Sequence, residues 1–506
     1  SGEHGDGRSK AELLTVMYGP RLIEAFQEFK RLWDPRGKMN PGKIVWPKPI
    51  TTDLRYGPQF QPPALDTVFK FPESEYSFTR AAMRCVGVGE CRRHERGTMC
   101  PSYRATLEEK HSTRGRARLL QEMLEGNPVS EGWKSEAVAD SLDLCLSCKG
   151  CKHECPVTVD MATYRAEFLY HHYQHKRRPI SSYSMGLVHR WAPLASHVPW
   201  LINALTQTPG LDAVAKWISG VHHKRQLPKL AGRTFRAQYS SPHRGEVGRG
   251  AQFGADGARN APTPALPLRG REIRAILWVD TFNNYFSPAP LLAAAELLQR
   301  FGYEVMPSPT RLCCGRPYYD FGRLKEAKTF LIRCLDSLSP LLDDRTWLVG
   351  IEPSCLSVFR DELPGLFPDD ARAKHVSERT LTLGAFLQQH GYPDMRLDRE
   401  LIVHGHCHHK AIFGLDSEAA LLNAVSSKVK VLDSGCCGMA GAFGYEKHKY
   451  PVSERIANLV LMPAIRQAPP EALIIADGFS CRHQIAQFAG IQAMTLPEAL
   501  LSATRQ

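Results

Sequence analysis

Four cysteines, Cys145, Cys148, Cys151 and Cys155, follow one another with gaps of two, two and three residues, and a proline comes directly after them. At this spacing one tight loop turns three thiolates toward a single iron–sulfur cluster, while the fourth thiolate binds a neighbouring cluster. Zinc sites instead pair two Cys-x-x-Cys units at a distance, and this chain has one compact run. The spacing therefore predicts that residues 76–180 fold around iron–sulfur clusters.

A second cysteine run has a similar outline but lacks one thiol. Its cysteines are Cys85, Cys91 and Cys100, again closed by a proline, and Val88 stands at the middle position. Crossed ligation between the two runs gives one complete set and one short set. The complete set is Cys145, Cys148, Cys151 and Cys100, and the short set is Cys85, Cys91 and Cys155. The short set could hold a three-iron cluster, hold a four-iron cluster completed by another ligand such as His94, or be empty.

From residue 273 onward, strand-like apolar runs alternate with helical runs, which predicts an α/β fold with a parallel sheet. The region also repeats internally. Cys313-Cys314-Gly315 recurs as Cys436-Cys437-Gly438, and Ser354-Cys355 recurs as Ser480-Cys481 at nearly the same offset. We expect two similar cysteine-rich units, the first at 272–395 and the second at 396–506.

The second cysteine-rich unit gathers four thiols, which predicts a cluster site there. They are Cys407, Cys436, Cys437 and Cys481. Four histidines crowd the same loop, at positions 404, 406, 408 and 409. Any of them could be a ligand or a proton donor, but we expect most to be solvated loop residues.

The first cysteine-rich unit offers only Cys313, Cys314 and Cys355, with no further cysteine near Asp280. We therefore expect its site to be weak or vacant, and Cys334 to be a core residue of a helix.

Composition excludes several classes of protein. There is no run of eighteen apolar residues and no signal peptide, so the fifteen cysteines fit metal binding in the reducing cytosol better than disulfides. The net charge of +12 could favour an acidic partner or an anionic membrane surface, but a generally basic surface is the simpler interpretation. No dense Lys/Arg block with interleaved aromatics occurs, which argues against nucleic-acid binding.

Several remaining segments carry weaker signals. Residues 11–33 have helical apolar spacing, and 51–75 resemble a linker. Residues 181–237 contain Trp191, Trp200 and Trp217. They could form a membrane-surface helix, although packing against the cluster domain is favoured. Residues 238–271 are poor in apolar residues and are predicted to be disordered.

The opening segment SGEHGDGRSK resembles the middle of a domain, so we expect a C-terminal fragment.

The Cys-Cys-Gly motifs resemble those of the cysteine-rich domain of heterodisulfide reductases and of the anaerobic glycerol-3-phosphate dehydrogenase iron–sulfur subunit. Some members of that family hold noncubane clusters through five cysteines, including a Cys-x-x-Cys end. In this chain the first cysteine of that Cys-x-x-Cys end is replaced in both units. Gly478 stands three residues before Cys481, and Glu352 stands three residues before Cys355. The resemblance therefore implies a four-cysteine cluster in the second unit rather than a noncubane one.

Residues 1–47, with the words GEHGDG and DPRGKMNPGKI, resemble the C-terminal domain of FAD-linked oxidases such as D-lactate and D-2-hydroxyglutarate dehydrogenases. The resemblance implies that Glu3 binds an active-site divalent metal, that His4 removes the substrate hydroxyl proton, and that Asn40 lies near the flavin. FAD itself would be bound mainly by an upstream domain. The words CPSYRATLEEKHSTRGRARLL and DSGCCGMAGAFGYE resemble large fused FAD/iron–sulfur oxidoreductases. Within the first of these, we expect HSTRGR (111–116) to flank a cluster.

The expected fold is multidomain: the tail of an α+β FAD-linked oxidase domain, an α-helical ferredoxin-like cluster domain, and two α/β cysteine-rich units. The domain plan is 1–50 (flavin-domain tail), 76–180 (4Fe-4S ferredoxin type), 181–237 (helical connector), 238–271 (insert), 272–395 and 396–506 (cysteine-rich units).

The resemblance implies an FAD-dependent dehydrogenase that oxidises the CH–OH group of a D-2-hydroxyacid, D-lactate or D-2-hydroxyglutarate. Its clusters would pass electrons from the flavin to a quinone, a cytochrome or a soluble carrier. We expect this fragment alone to be inactive, and the protein to be cytoplasmic or peripheral at the inner face of the membrane. The alternative is a stand-alone electron-transfer subunit of a complex like glycerol-3-phosphate dehydrogenase or heterodisulfide reductase. A zinc-dependent nucleic-acid binder fits the charge but not the cysteine spacing.

Overall fold

The computed structural model of the chain describes residues 5–54, 60–95, 97–240 and 273–504. Glu3 and His4 lie outside the described residues. So does nearly all of the predicted disordered insert, although its first two residues, 238 and 239, end a helix. The chain divides into two compact bodies, which we call the N-terminal body (1–63) and the main body (64–506).

The N-terminal body contains the helices α1 (Leu14–Tyr18) and α2 (Pro20–Trp33), so the predicted helical stretch is present but is interrupted at Gly19. Asp34 ends α2 and organises the turn that follows. Its carboxylate accepts hydrogen bonds from the backbone N–H groups of Lys38, at 2.9 Å, and Met39, at 2.8 Å. The Lys30 ammonium, and then these bonds, lower the pKa of Asp34 to about 2.

The segment predicted to bind clusters is helical, as expected. Four of its helices begin at a side chain that accepts a backbone N–H of the first turn, the usual N-cap arrangement; these caps are Ser77, Ser112, Ser135 and Asp160. The helices are α3 (Phe78–Met83), α4 (Pro101–Thr106), α5 (Thr113–Glu125), α6 (Glu136–Asp143), α7 (Gly150–Glu154) and α8 (Met161–His172).

The connector forms short helices, and several large apolar side chains on them remain exposed, including Trp200 and Trp217. Within the described residues, no helix combines the length and the apolar character needed to cross a membrane. The connector helices are α9 (Ser181–Ser184), α10 (Val188–Ala195), α11 (Pro199–Gln207), α12 (Leu211–Ser219) and α13 (Phe235–Tyr239).

The first cysteine-rich unit has a four-stranded parallel sheet in the order β2-β1-β3-β4, as the α/β alternation predicted. In its register Leu277 lies opposite both Pro307 and Val349. The elements are β1 (Arg274–Leu277), α14 (Thr281–Tyr285), α15 (Ala289–Arg300), β2 (Glu304–Pro307), α16 (Arg316–Asp320), α17 (Leu324–Leu338), β3 (Thr346–Gly350), α18 (Pro353–Ser357), α19 (Leu363–Leu366), α20 (Ala371–Glu378), β4 (Thr380–Thr382) and α21 (Leu383–His390), with a π-helical turn at Val358–Glu362.

The second cysteine-rich unit repeats this plan with a three-stranded parallel sheet in the order β6-β5-β7. Met494 pairs with Ile475 by an isolated parallel bridge, on the side where the first unit has its fourth strand. The elements are β5 (Leu401–Val403), α22 (Cys407–Ile412), α23 (Asp416–Val425), β6 (Val429–Val431), α24 (Tyr450–Leu459), α25 (Leu461–Arg466), β7 (Leu473–Ile475), α26 (Phe479–Ala489) and α27 (Leu496–Ala503).

Two of the buried apolar cores join separate parts of the main body. One joins the helical cluster segment to the first cysteine-rich unit, with Phe78 and Tyr164 in the same apolar cluster as Leu324 and Leu356. The other joins the two cysteine-rich units, with residues such as Leu277 and Leu500. The three cysteine-bearing segments are therefore packed against one another, which brings sites from separate parts of the sequence close together.

Candidate functional site

The four cysteines of the predicted complete set line one small buried cavity. The loop that carries three of them turns sharply, because Ser147 and Lys149 adopt left-handed backbone conformations with φ of 51° and 56°. Gly150 completes the turn. A Cβ atom there would come within 2.9 Å of the Thr98 side chain, so the loop passes too close to its neighbour for a larger residue.

Charges around this cavity favour a bound metal group. Burial opposes ionisation of the Cys100 thiol, but the Arg116 guanidinium lies 3.4 Å from its Sγ and holds the pKa of Cys100 below its usual value. This contact confirms that the HSTRGR segment flanks the predicted site. Burial, and then neighbouring thiols, raise the pKa of Cys148. Burial, and then the Asp160 carboxylate and the Cys145 thiol, raise the pKa of Cys151. Thiolates crowded in a dry cavity repel one another unless a cationic group binds them, so the four side chains fit an iron–sulfur cluster.

Two of the three cysteines of the short set are only half-buried, whereas all four of the complete set are buried. Cys91 is buried, and its Sγ accepts the backbone N–H of Arg114 at 3.3 Å. Burial, and then the neighbouring thiols Cys100 and Cys85, raise its pKa to about 11. Cys85 and Cys155 are half-buried, and a hydrogen bond from Arg84 to Thr158 joins the segments that carry them.

His94, the candidate extra ligand of the short set, is exposed. Its ring centroid lies 5.8 Å from that of Tyr103.

The second cysteine-rich unit brings its four predicted ligands together from three places. Cys407 begins α22, Cys436 and Cys437 follow β6, and Cys481 lies in the first turn of α26. All four are buried, and their side chains contact one another in the order 407, 436, 437, 481.

Two glycines shape this second-unit site. Gly438 has a φ of +88°, which lets the chain turn directly after the cysteine pair. At Gly478 a Cβ atom would come 2.4 Å from the His406 ring and 3.2 Å from the Cys481 sulfur. This position therefore has no room for the further cysteine of a five-cysteine noncubane site.

The expectation that most histidines of this loop are solvated was wrong. His404, His406, His408 and His409 are all buried, because the loop is enclosed between the cysteine-rich units and the cluster segment.

His404 belongs to the second-unit site itself. Its Nδ1 lies 2.6 Å from the Ser434 hydroxyl, and its Nε2 has no hydrogen-bond partner among the described residues. One ring nitrogen of His404 lies within 4.8 Å of the Cys437 and Cys481 sulfurs, so the three form a cluster of potential metal ligands. The sequence marked this histidine only as one of four, since spacing alone does not show which ring faces the thiols.

The ferredoxin-type site and the second-unit site are neighbours. Cys148 shares one buried cluster with Cys407 and Cys436. His408 fixes this arrangement, because its Nε2 donates to the Ser147 carbonyl at 2.8 Å. Its Nδ1 lies 3.1 Å from the hydroxyl of Ser357 in the first cysteine-rich unit.

Three family models match the chain in order: the FAD linked oxidase C-terminal domain over residues 1–44, a 4Fe-4S dicluster domain over 81–159 and a cysteine-rich domain over 281–360. D-2-hydroxyglutarate dehydrogenase of Pantoea ananatis (strain AJ13355) is 25% identical over 97% of this chain and 50% of its own length. The chain therefore combines sequence of the FAD linked oxidase C-terminal domain with a 4Fe-4S dicluster domain and a cysteine-rich domain. FAD and iron–sulfur clusters are the cofactors of these domains.

Two further relatives are shorter proteins. The glycolate oxidase iron–sulfur subunit of Escherichia coli (strain K12) is 25% identical over 79% of this chain and 89% of its own length. Lactate utilization protein A of Bacillus subtilis (strain 168) is 30% identical over 40% of this chain and 87% of its own length. The chain spans about half the length of the D-2-hydroxyglutarate dehydrogenases that it matches. No solved structure matches it.

Within this FAD/iron–sulfur family architecture, the first cysteine-rich unit holds three contacting thiols, Cys313, Cys314 and Cys355. Thr281 begins α14 just as Cys407 begins α22, and its hydroxyl lies 4.0 Å from the Cys313 sulfur. No fourth cysteine stands at that position, as the sequence predicted. Cys334 is buried in α17, which confirms it as a core residue.

Buried carboxylates surround these three thiols. Burial, and then the nearby Glu352, raise the pKa of Asp280 to about 6. Glu352 also accepts the backbone N–H of Phe479 at 2.7 Å, which ties the first cysteine-rich unit to the second.

Asn40, the predicted flavin-proximal residue, is exposed in the N-terminal body. It has a φ of 46° and follows the turn that Asp34 organises. Its local conformation is therefore defined by that turn.

Proposed function

We propose that this chain is the iron–sulfur electron-transfer part of an FAD-dependent dehydrogenase for D-2-hydroxyacids, with D-2-hydroxyglutarate or D-lactate as substrate. The observation that carries the proposal is the contact between two cysteine sites. Cys148 of the ferredoxin-type loop and Cys407 of the second cysteine-rich unit lie in one buried cluster, so groups bound at the two sites would be adjacent. The relatives named D-2-hydroxyglutarate dehydrogenase support the substrate class.

The residues that would hold the clusters follow from the cavities. Cys100, Cys145, Cys148 and Cys151 would bind one four-iron cluster, and Cys407, Cys436, Cys437 and Cys481 a second, with His404 beside it. Cys85, Cys91 and Cys155 would form a third site that is one thiolate short. Clusters bound there would each accept one electron at a time. A reduced flavin, which carries two electrons, could therefore be oxidised in two steps.

The surrounding residues support this role. Arg116 places a buried cation against Cys100 and so offsets the negative charge of the thiolates. Apolar side chains such as Leu146, Phe443 and Ile456 pack around Cys148 and Cys407 and exclude water from the space between the two sites.

At the flavin end, the proposal assigns Glu3 to a divalent metal that holds the hydroxyacid oxygens, and His4 to removal of the hydroxyl proton. Asn40 would lie near the FAD. The final acceptor would be a quinone, a cytochrome or a soluble carrier, and the protein would work in the cytoplasm or at the inner face of the membrane.

A stand-alone electron-transfer subunit is the second candidate, because this chain covers 89% of the glycolate oxidase iron–sulfur subunit and 87% of lactate utilization protein A. The match of residues 1–44 to a flavin-enzyme domain favours the fused enzyme.

The test is the metal content of the chain purified without oxygen. We expect iron and acid-labile sulfide in equal amounts, and Cys148→Ser should lose about four irons per chain. Cys334→Ser, a buried cysteine outside the proposed ligand sets, is the matched control and should retain them. Zinc without sulfide, or equal iron in both variants, would refute the assignment.

A further inference from the structure

The main body contains a cavity of about 390 Å³ whose wall is mostly apolar. Side chains from the connector and from both cysteine-rich units form it, among them Val188, Trp191, Ile202, Phe282 and Phe479. Phe282 and Phe479 stack with ring centroids 5.1 Å apart. This volume falls within the range of about 300–1,000 Å³ that small-molecule sites occupy.

One wall of the cavity is the second-unit cysteine site. Cys407, Cys436 and Cys437 line it directly, next to His406 and His408. A molecule in the cavity would therefore touch the residues proposed to hold a cluster, without another element in between. None of the proposed residue roles uses this space.

The connector helices that form another wall also present apolar side chains outward. Val188, Trp191 and Ile202 face the cavity from α10 and α11. On the same run of helices Leu194, Trp200 and Trp217 are 73%, 72% and 71% exposed. Apolar helices with exposed tryptophans suit the boundary between water and a lipid surface.

The charge of the connector agrees with such a surface. Residues 181–237 contain seven lysines and arginines against the single acidic Asp212. Lys216 and Arg225 are buried, and the other five lie at least partly at the surface. Basic segments of this kind are attracted to anionic lipid headgroups.

From these features we propose that the cavity binds a membrane quinone as the electron acceptor of the second-unit cysteine site. This inference rests on the proposed function and names its acceptor. A cytochrome or another protein carrier docks on an outer surface and cannot fill a recessed apolar cavity, whereas a flat quinone ring matches both the volume and the aromatic lining.

Asp320 is one of the residues that line the cavity, and its carboxyl group would hydrogen-bond a quinone carbonyl. Asp320 accepts a hydrogen bond from Arg165 through its backbone carbonyl, and among the described residues none reaches its carboxylate. Reduction adds two electrons and two protons to the quinone and gives the quinol. The electrons come singly from iron–sulfur carriers filled by hydroxyacid oxidation, and the protons come from water through the Asp320 carboxyl.

The test is binding of decylubiquinone, and separately of menadione, to the full chain with its clusters, monitored by quenching of tryptophan fluorescence. Quinones quench nearby indoles, and Trp191 lies in the wall. Two substitutions fill the cavity from different helices, Ala215→Phe in α12 and Thr206→Phe in α11. Each has an exposed neighbour on the same helix as its control, Val214→Phe and Ala204→Phe.

We expect saturable binding of at least one quinone by the unsubstituted chain and by both controls. Both filled variants should bind roughly tenfold more weakly or worse. Reduced clusters should be oxidised by the bound quinone in the controls but not in the filled variants, while ferricyanide oxidises all of them equally.

Absence of saturable binding to a chain with full iron and sulfide would overturn the quinone proposal and leave the electron-transfer function standing. Equal binding by all variants would overturn it as well. Oxidation of the filled variants by a c-type cytochrome, with no response to quinone in any variant, would assign the acceptor to a protein. A chain without iron and sulfide would instead refute the proposed function itself.

Discussion

Lys149 offers the sharpest test of how the cluster-binding loop is held. It lies between Cys148 and Cys151, and only 1% of its side chain is exposed. Its ammonium lies 3.3 Å from the Asp160 carboxylate and 3.1 Å from that of Glu362, and it also contacts Asp361. Burial disfavours the charged ammonium, but the carboxylates outweigh burial and raise the pKa of Lys149 above its usual value.

Replacing Lys149 with Met removes the cation and leaves the acidic side chains without their buried partner. Removing one member of a buried ion pair costs about 3–5 kcal/mol. We expect this cost to appear as local opening of the loop 145–155. At about 1.4 kcal/mol per factor of ten, its backbone amides should exchange roughly 10²- to 10⁴-fold faster in a hydrogen-exchange experiment on the cluster-loaded chain.

Lys152→Met is the matched control, because Lys152 contacts the same two aspartates, Asp160 and Asp361, from the rim. Its side chain is 39% exposed, so its loss should cost no more than about 1 kcal/mol. If the loop exchanges no faster in Lys149→Met than in Lys152→Met, the buried carboxylates do not depend on Lys149 and the reasoning is refuted.

The same network predicts a pH dependence. Lys149, and then Lys152, hold the pKa of Asp160 and of Asp361 below the ordinary value despite burial of the two carboxyl groups. A carboxylate with a lowered folded-state pKa stabilises the fold above its unfolded pKa, which is about 4, and this stability is lost as the pH falls. The unsubstituted chain should therefore lose stability as the pH falls below about 4, which urea unfolding at a series of pH values would measure.

Two further substitutions test the second cysteine-rich unit. Gly438→Ala should lower iron bound there, because a Cβ atom would meet the Ser453 carbonyl at 2.4 Å; Gly490→Ala, also at positive φ but with open space around it, should retain the iron. Arg225→Met should lower the unfolding temperature, since this buried guanidinium makes four hydrogen bonds to the second unit, whereas the exposed neighbour substitution Lys224→Met should not.

Local spacing predicted much of the candidate site. Cys145, Cys148 and Cys151 converge because a short loop leaves them few other arrangements, and the sequence shows that loop directly. The alternation of apolar runs likewise predicted parallel sheets, since period and length are local properties of the chain.

Features that depend on packing between distant segments were not predictable. The loop histidines looked solvated because they stand in a polar, Gly-containing stretch, yet His408 bonds to Ser147, which lies far away in the sequence. The ion pairs of Lys149 with Asp361 and Glu362 are hidden for the same reason. From the sequence alone, a charged residue inside a cysteine motif is expected to be exposed, because the carboxylates that pair with it lie far away along the chain.

The first cysteine-rich unit lacks one of the four cysteines of the second unit, yet its residues support the neighbouring sites. Thr281 stands where the second unit has Cys407, so the three remaining thiols lack a fourth. The same unit nevertheless supplies the Asp361 and Glu362 carboxylates that hold Lys149 in the cluster-binding loop. It also supplies part of the wall of the apolar cavity. Its remaining contribution is therefore to position the sites of its neighbours, and a substitution that unfolds it should release iron bound elsewhere.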